Sequence, residues 1–141
     1  MATVTNVSIV SGGVDDDLSL DPTEPWRRDV PKGVTVFEIN GPFFFGAVET
    51  FRETLDTLGE RPRVLIVRMR DVHALDSTGM HALRDVVKRS RRTGTEVVLS
   101  DVQPQPRAAL EASGILEEIG PANAAIDIDD ALARAYELSQ R

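Results

Sequence analysis

Val64-Leu65-Ile66-Val67-Arg68-Met69-Arg70-Asp71-Val72-His73-Ala74-Leu75-Asp76-Ser77-Thr78-Gly79-Met80 is the stretch on which the fold turns. Its first four residues are apolar without alternation. Such a run, bounded by Arg63 and Arg68, suits a strand covered on both faces, as in a parallel sheet. The stretch ends in a helix start. Met80, Leu83, Val86 and Val87 recur at helical spacing, and Arg84, Lys88, Arg91 and Arg92 fall on the other side. Thr93-Gly94 stops that helix.

The same alternation continues in both directions. Downstream, Glu96 to Leu99 reads as a strand. Pro104 and Pro106 open a helix with Ala109 and Leu110 inside and Gly114 past its end. Ile115 to Ile119 reads as a short apolar connector and Ala125–Ile128 as a last strand. Asp129 or Asp130 caps a final helix through Leu132, Ala135, Tyr136 and Leu138. Upstream, Val34, Val36 and Ile39 form a strand between Gly33 and Gly41. Pro42 breaks it, Phe43-Phe44-Phe45-Gly46 follows, and Val48, Phe51, Leu55 and Leu58 give a helix stopped by Gly59. Strands alternating with helices imply an α/β fold with a largely parallel sheet and crossover helices.

Residues 1–33 read differently. Thr3 to Val10 is β-prone and fits a sheet edge. Ser11 to Pro31 holds Gly12-Gly13, the acidic run Asp15-Asp16-Asp17, Pro22, Pro25 and Pro31, and reads as a linker or long loop. Its lone Trp26 is expected to pack onto the domain or onto a partner. The organisation is therefore an N-terminal edge strand and acidic linker over 1–33 and an α/β domain over 34–141.

Composition removes several function classes. The 141 residues carry a formal net charge of −7, against a main role in nucleic-acid binding. No cysteine is present, which removes disulfides, thiol nucleophiles and Cys-based zinc sites. The two histidines, His73 and His81, lack the spacing of a helical metal pair, so no metal site is expected. No apolar run approaches the roughly 20 residues that span a bilayer, and Met1–Val10 lacks the pattern of a signal peptide. No nucleophile–base–acid set or phosphate-cradling glycine loop emerges, so no catalytic residue is assigned and the chain is not expected to be an enzyme.

Asp76-Ser77-Thr78-Gly79 is the candidate regulatory loop. Spare N–H groups at a helix start favour anions and acceptors, and an exposed hydroxyl there is open to a partner or to phosphorylation. Alone, the tetrapeptide supports only a helix cap. Phe43, Phe44 and Phe45 cannot all face one side of an extended segment, so one is expected to be open to a contact. The basic face of Arg84, Lys88, Arg89, Arg91 and Arg92 reads first as a solvated helix face, and second as a contact for lipid headgroups or an acidic surface.

The order of elements, with D-S-T-G opening the helix after the central strand, resembles the STAS domain over residues 34–138. The resemblance implies a STAS fold: a mixed, mostly parallel sheet of four to six strands with helices mainly on one side. The family's signature loop is D-S-[ST]-G. In its anti-anti-sigma branch a kinase phosphorylates the second hydroxyl residue, which corresponds to Thr78, with Asp76 shaping the loop. Pro31, Gly33, Val34 and Val36, followed by Ile39-Asn40-Gly41-Pro42-Phe43-Phe44-Phe45, are similar instead to the SulP anion-transporter branch.

That branch implies a cytosolic regulatory domain on the cytoplasmic face of the cell membrane, acting in assembly, stability or gating. Its partner would be the membrane domain of the same transporter, through Phe43, Phe44 and Phe45 among others, with a homodimer of the full-length protein as an option. The transported species would be sulfate, bicarbonate, a dicarboxylate or a similar anion. The alternative is a free-standing anti-sigma factor antagonist switched by phosphorylation at Thr78. A third reading, a nucleotide or other anion at the N-terminus of the Thr78 helix, is the one ligand expectation; otherwise no cofactor is expected.

Overall fold

The computed structural model describes residues 6–12, 25–40, 49, 53 and 61–141. Among the described residues five strands form one sheet in chain order: β1 (Asn6–Ser11), β2 (Val34–Asn40), β3 (Val64–Arg68), β4 (Glu96–Ser100) and β5 (Ala124–Ala125). β1 runs antiparallel to β2, and β2 to β5 are mutually parallel. This is the mixed, mostly parallel sheet that the STAS resemblance implies. Phe43, Phe44, Phe45 and the helix expected after them lie outside the described residues, except that Glu49 and Glu53 are helical.

The α-helices whose bounds fall among the described residues are α1 (Ser77–Arg92), α2 (Pro104–Ser113), α3 (Ile115–Ile119) and α4 (Ile128–Ser139). Parallel neighbours in chain order require crossovers, and crossovers of one hand place their helices on one face. Accordingly Leu83, Val86 and Val87 of α1, Leu110 of α2, and Ile115, Leu116 and Ile119 of α3 share a core with Phe37, Ile39, Leu65, Val67, Val97 and Leu99. α4 follows the last strand, is not a crossover, and covers the other face. Its Ile128, Ala131, Leu132, Ala135 and Leu138 pack with Val34, Val36, Val64, Ile66 and Val98. β3, buried along its length, feeds both cores alternately, which is why its sequence shows no polar alternation.

Several boundaries depart from the sequence expectation. Ile115–Ile119 is a helical turn, because Gly114 at φ +83° lets the chain break sharply after α2 and bury both sides of the break. The last strand is only Ala124–Ala125. Asp127, not Asp129 or Asp130, caps α4: its carboxylate accepts the Asp130 N–H at 2.8 Å. Asp130 in turn accepts the Ile126 N–H at 3.1 Å, a reciprocal cap that draws residues 127–128 out of the sheet. Tyr136 lies within α4, as expected, on its exposed side.

The linker reading fails for residues 25–31. Pro25–Asp29 forms a 3-10 turn whose Trp26, with Val30 beside it, is buried in the core under α4. Gly12 permits this path: its N–H donates to Val34 O at 2.8 Å, and a Cβ there would clash with the Pro31 carbonyl.

Candidate functional site

β3 does not run straight into α1. Residues 69–76 first form a loop at the C-terminal edge of the parallel strands. Met69, Val72 and Leu75 anchor it in the core, while Arg70, His73 and Ala74 are exposed. α2 pins it from the side. The Leu75 N–H donates to Gln105 Oε1 at 2.7 Å, and Gln103 Nε2 donates to Arg70 O at 2.7 Å. Both glutamines sit at the start of α2, in the Gln103-Pro104-Gln105-Pro106 run. Their role was invisible along the chain, since they lie about thirty residues from their partners.

Asp76 is the N-cap of α1. It is extended, and its Oδ1 accepts the Gly79 N–H at 2.8 Å. The Met80 N–H closes the first turn on Asp76 O at 2.9 Å. Gly79 is buried and its donor is taken. Ser77 and Thr78 are exposed, at the positive end of a 16-residue helix. The four residues thus divide their work: Asp76 holds the turn, Gly79 packs, and two hydroxyls are presented to solvent. His73 and His81 are both exposed.

On the opposite face of the sheet, at the same edge, lies a charged cluster that sequence reasoning missed. Register sets Glu38 beside Arg68 and Arg68 beside Ser100. Arg68 Nη1 donates to Glu38 Oε2 at 2.8 Å, and its Nε to Asp101 Oδ2 at 3.1 Å. Asp101, at φ +58°, also accepts from the Ser100 hydroxyl. The Trp26 ring covers the guanidinium at 5.3 Å. The available signal was a single charge at the end of each of two apolar strands. Its charges satisfy one another, which marks it as architecture that fixes strand register.

The basic face of α1 is not uniformly solvated. Arg84 Nη2 donates to Ser113 O at 2.6 Å and Arg91 Nη1 to Glu118 O at 3.2 Å, tying α1 to the last carbonyls of α2 and to α3. No group of acidic and histidine side chains that could hold a metal occurs among the described residues.

A mixed sheet in chain order, with a capped hydroxyl loop after its central strand, defines a STAS-type domain. The family model for the STAS domain matches residues 26–135, and the chain belongs to that family. It is 28% identical over 95 residues to "Putative sulfate transporter YvdB" of Bacillus subtilis, covering 67% of this chain and 18% of that protein. Among solved structures, a sulfate transporter family protein from Wolinella succinogenes superposes with a TM-score of 0.77 at 40% identity. The match covers 86% of this chain and 99% of that one. The SulP transporter STAS domain from Vibrio cholerae gives 0.68 at 29% identity, over 77% and 84% of the two chains. The chain thus spans less than a fifth of the Bacillus transporter it matches, and no described helix is long and apolar enough to cross a membrane.

Proposed function

We propose that this chain is the cytosolic regulatory domain of a SulP-type anion transporter, with sulfate or a related oxyanion as the transported species. The observation that carries the reading is its 40% identity with the Wolinella succinogenes sulfate transporter family protein over nearly all of that chain. The partner-switching alternative draws no support from the relatives above, which carry transporter names.

The mechanism is coupling by contact. Asn6 pairs with Asn40, so the chain comes into the sheet at the edge that carries Ser77 and Thr78. A membrane domain joined ahead of β1 therefore lies near that edge. Asp76 and the two glutamines hold the loop rigid, so a contact or a phosphoryl group at Thr78 acts on a fixed surface.

The first test is the coding sequence ahead of residue 1: about ten or more membrane spans are expected in frame, and an in-frame stop directly upstream overturns the reading. The second is anion uptake by the full-length protein. Thr78→Asp is expected to change uptake at unchanged membrane abundance. Unchanged uptake in both Thr78→Asp and Thr78→Ala removes the loop from the mechanism.

A further inference from the structure

The exposed face of α1 carries a charge opposite to that of the chain. Residues 77–92 hold five cations and one carboxylate, within a protein of net charge −7. Two of the five, Arg84 and Arg91, reach sideways to carbonyls of α2 and α3, yet Arg91 remains 59% exposed. Arg89 pairs with Asp85 at 3.2 Å. Lys88 and Arg92 are exposed, lie four residues apart on one stripe, and meet no carboxylate among the described residues. The exposed positions of α1 are Ser77, Thr78, His81, Lys88, Arg89, Arg91 and Arg92, with no apolar residue among them.

We propose that this face of α1 rests on an anionic lipid surface. Charge complementarity selects an anionic partner. The absence of any apolar or aromatic anchor on the face separates it from protein–protein hot spots, which centre on desolvated aromatic residues and are poor in Lys. A convex row of long cationic side chains is instead what a headgroup layer attracts, through additive contributions from each charge. α1 begins at the sheet edge where β1 comes in and runs away from it. A domain lying along a bilayer on this helix therefore keeps its N-terminal connection at the membrane. The inference rests on the reading that the domain works beneath a bilayer. Vesicle binding can nevertheless fail while uptake by the full-length protein still responds to Thr78, so the two readings fail separately.

The test is sedimentation of the chain with vesicles of phosphatidylcholine alone and of phosphatidylcholine with one third phosphatidylglycerol, at low and physiological salt. Binding is expected only with phosphatidylglycerol and is expected to fall as salt rises. Lys88→Gln with Arg92→Gln is expected to weaken it about 25-fold, at roughly fivefold per cation. Arg28→Gln with Lys32→Gln removes the same charge from exposed positions elsewhere and is expected to leave binding nearly unchanged. Circular dichroism checks that both variants are folded. Absence of vesicle binding, binding independent of phosphatidylglycerol, or equal loss in the two double variants overturns the proposal. So does capture of polyglutamate without vesicle binding, which would assign the face to an acidic protein surface.

Discussion

Arg68 and Glu38 meet at 2.8 Å on neighbouring parallel strands, both almost wholly buried, with Asp101 on the other side of the guanidinium. A buried pair of this kind adds little net stability against an apolar substitute, yet is costly to break from one side. Arg68→Met removes the shared guanidinium, leaving Glu38 a 3.8 Å contact with the half-exposed Arg70 and Asp101 the Ser100 hydroxyl, and is expected to cost about 3–5 kcal/mol. Glu38→Leu combined with Arg68→Met is expected to cost well below the sum of the single changes. Urea unfolding of the four proteins in the cycle checks this, and additivity within error would show that the pair is not coupled.

Trp26 is the chain's only tryptophan, 6% exposed, and its Nε1 has no hydrogen-bond partner among the described residues. Its emission is therefore expected to be blue-shifted and poorly quenched by acrylamide. Trp26→Ala is expected to cost about 3–5 kcal/mol, from lost burial and a cavity over Arg68. Trp26→Phe keeps most of the packing and deletes an unsatisfied donor, so its cost is expected to stay below about 1.5 kcal/mol in the same urea experiment.

Gln105 reaches from α2 to Leu75, immediately before the signature loop. Gln105→Ala is expected to lower global stability by no more than about 1–3 kcal/mol, the cost of leaving the Leu75 N–H without its acceptor. The larger effect is expected locally: hydrogen exchange should accelerate at Leu75 while amides of β3 and β4 stay protected. Uniform acceleration across the sheet would show that the glutamine supports the whole domain and not the loop.

Asp76 satisfies the third N–H of α1. Asp76→Ala is expected to cost about 1 kcal/mol, and Asp76→Ser or Asp76→Asn much less, since either side chain can replace the acceptor. Thermal melts would show the loss as a fall of a few degrees. Equal melting of the Ala and Asn variants would mean that the cap bond contributes nothing.

Much of this architecture is legible along the chain because it depends on short-range pattern. The unbroken apolar run Val64–Val67 announces a strand buried on both faces. The spacing of Leu83, Val86 and Val87 gives the inner face of α1, and the sequence leaves its cap to Asp76 or Ser77, of which the structure selects Asp76. D-S-T-G in that position carries the resemblance to the STAS family. Reading failed where a local signal had two outcomes. Ala125–Ile128 is β-prone, but two aspartates spaced for a reciprocal cap won residues 127 and 128 for the helix. The proline-containing stretch ending at Pro31 is polar enough for a linker, but the burial of Trp26 and Val30 under α4 outweighs that tendency.

The signature loop itself was determined by sequence: its residues, its cap and its place after the central strand follow from neighbours a few positions apart. Tertiary structure alone decided what holds and surrounds it. Gln103 and Gln105 reach the loop, and Asp101 reaches Arg68, only after β4 has paired with β3 in one register, and Glu38 reaches Arg68 only after β2 has paired with β3. Which α1 cations are spent on neighbouring carbonyls and which remain open was settled by the packing of α2 and α3. The physical reason is the same in each case. A side chain's local periodicity fixes the face it occupies, whereas its partner is fixed by strand register and helix docking, which bring together residues about thirty positions apart.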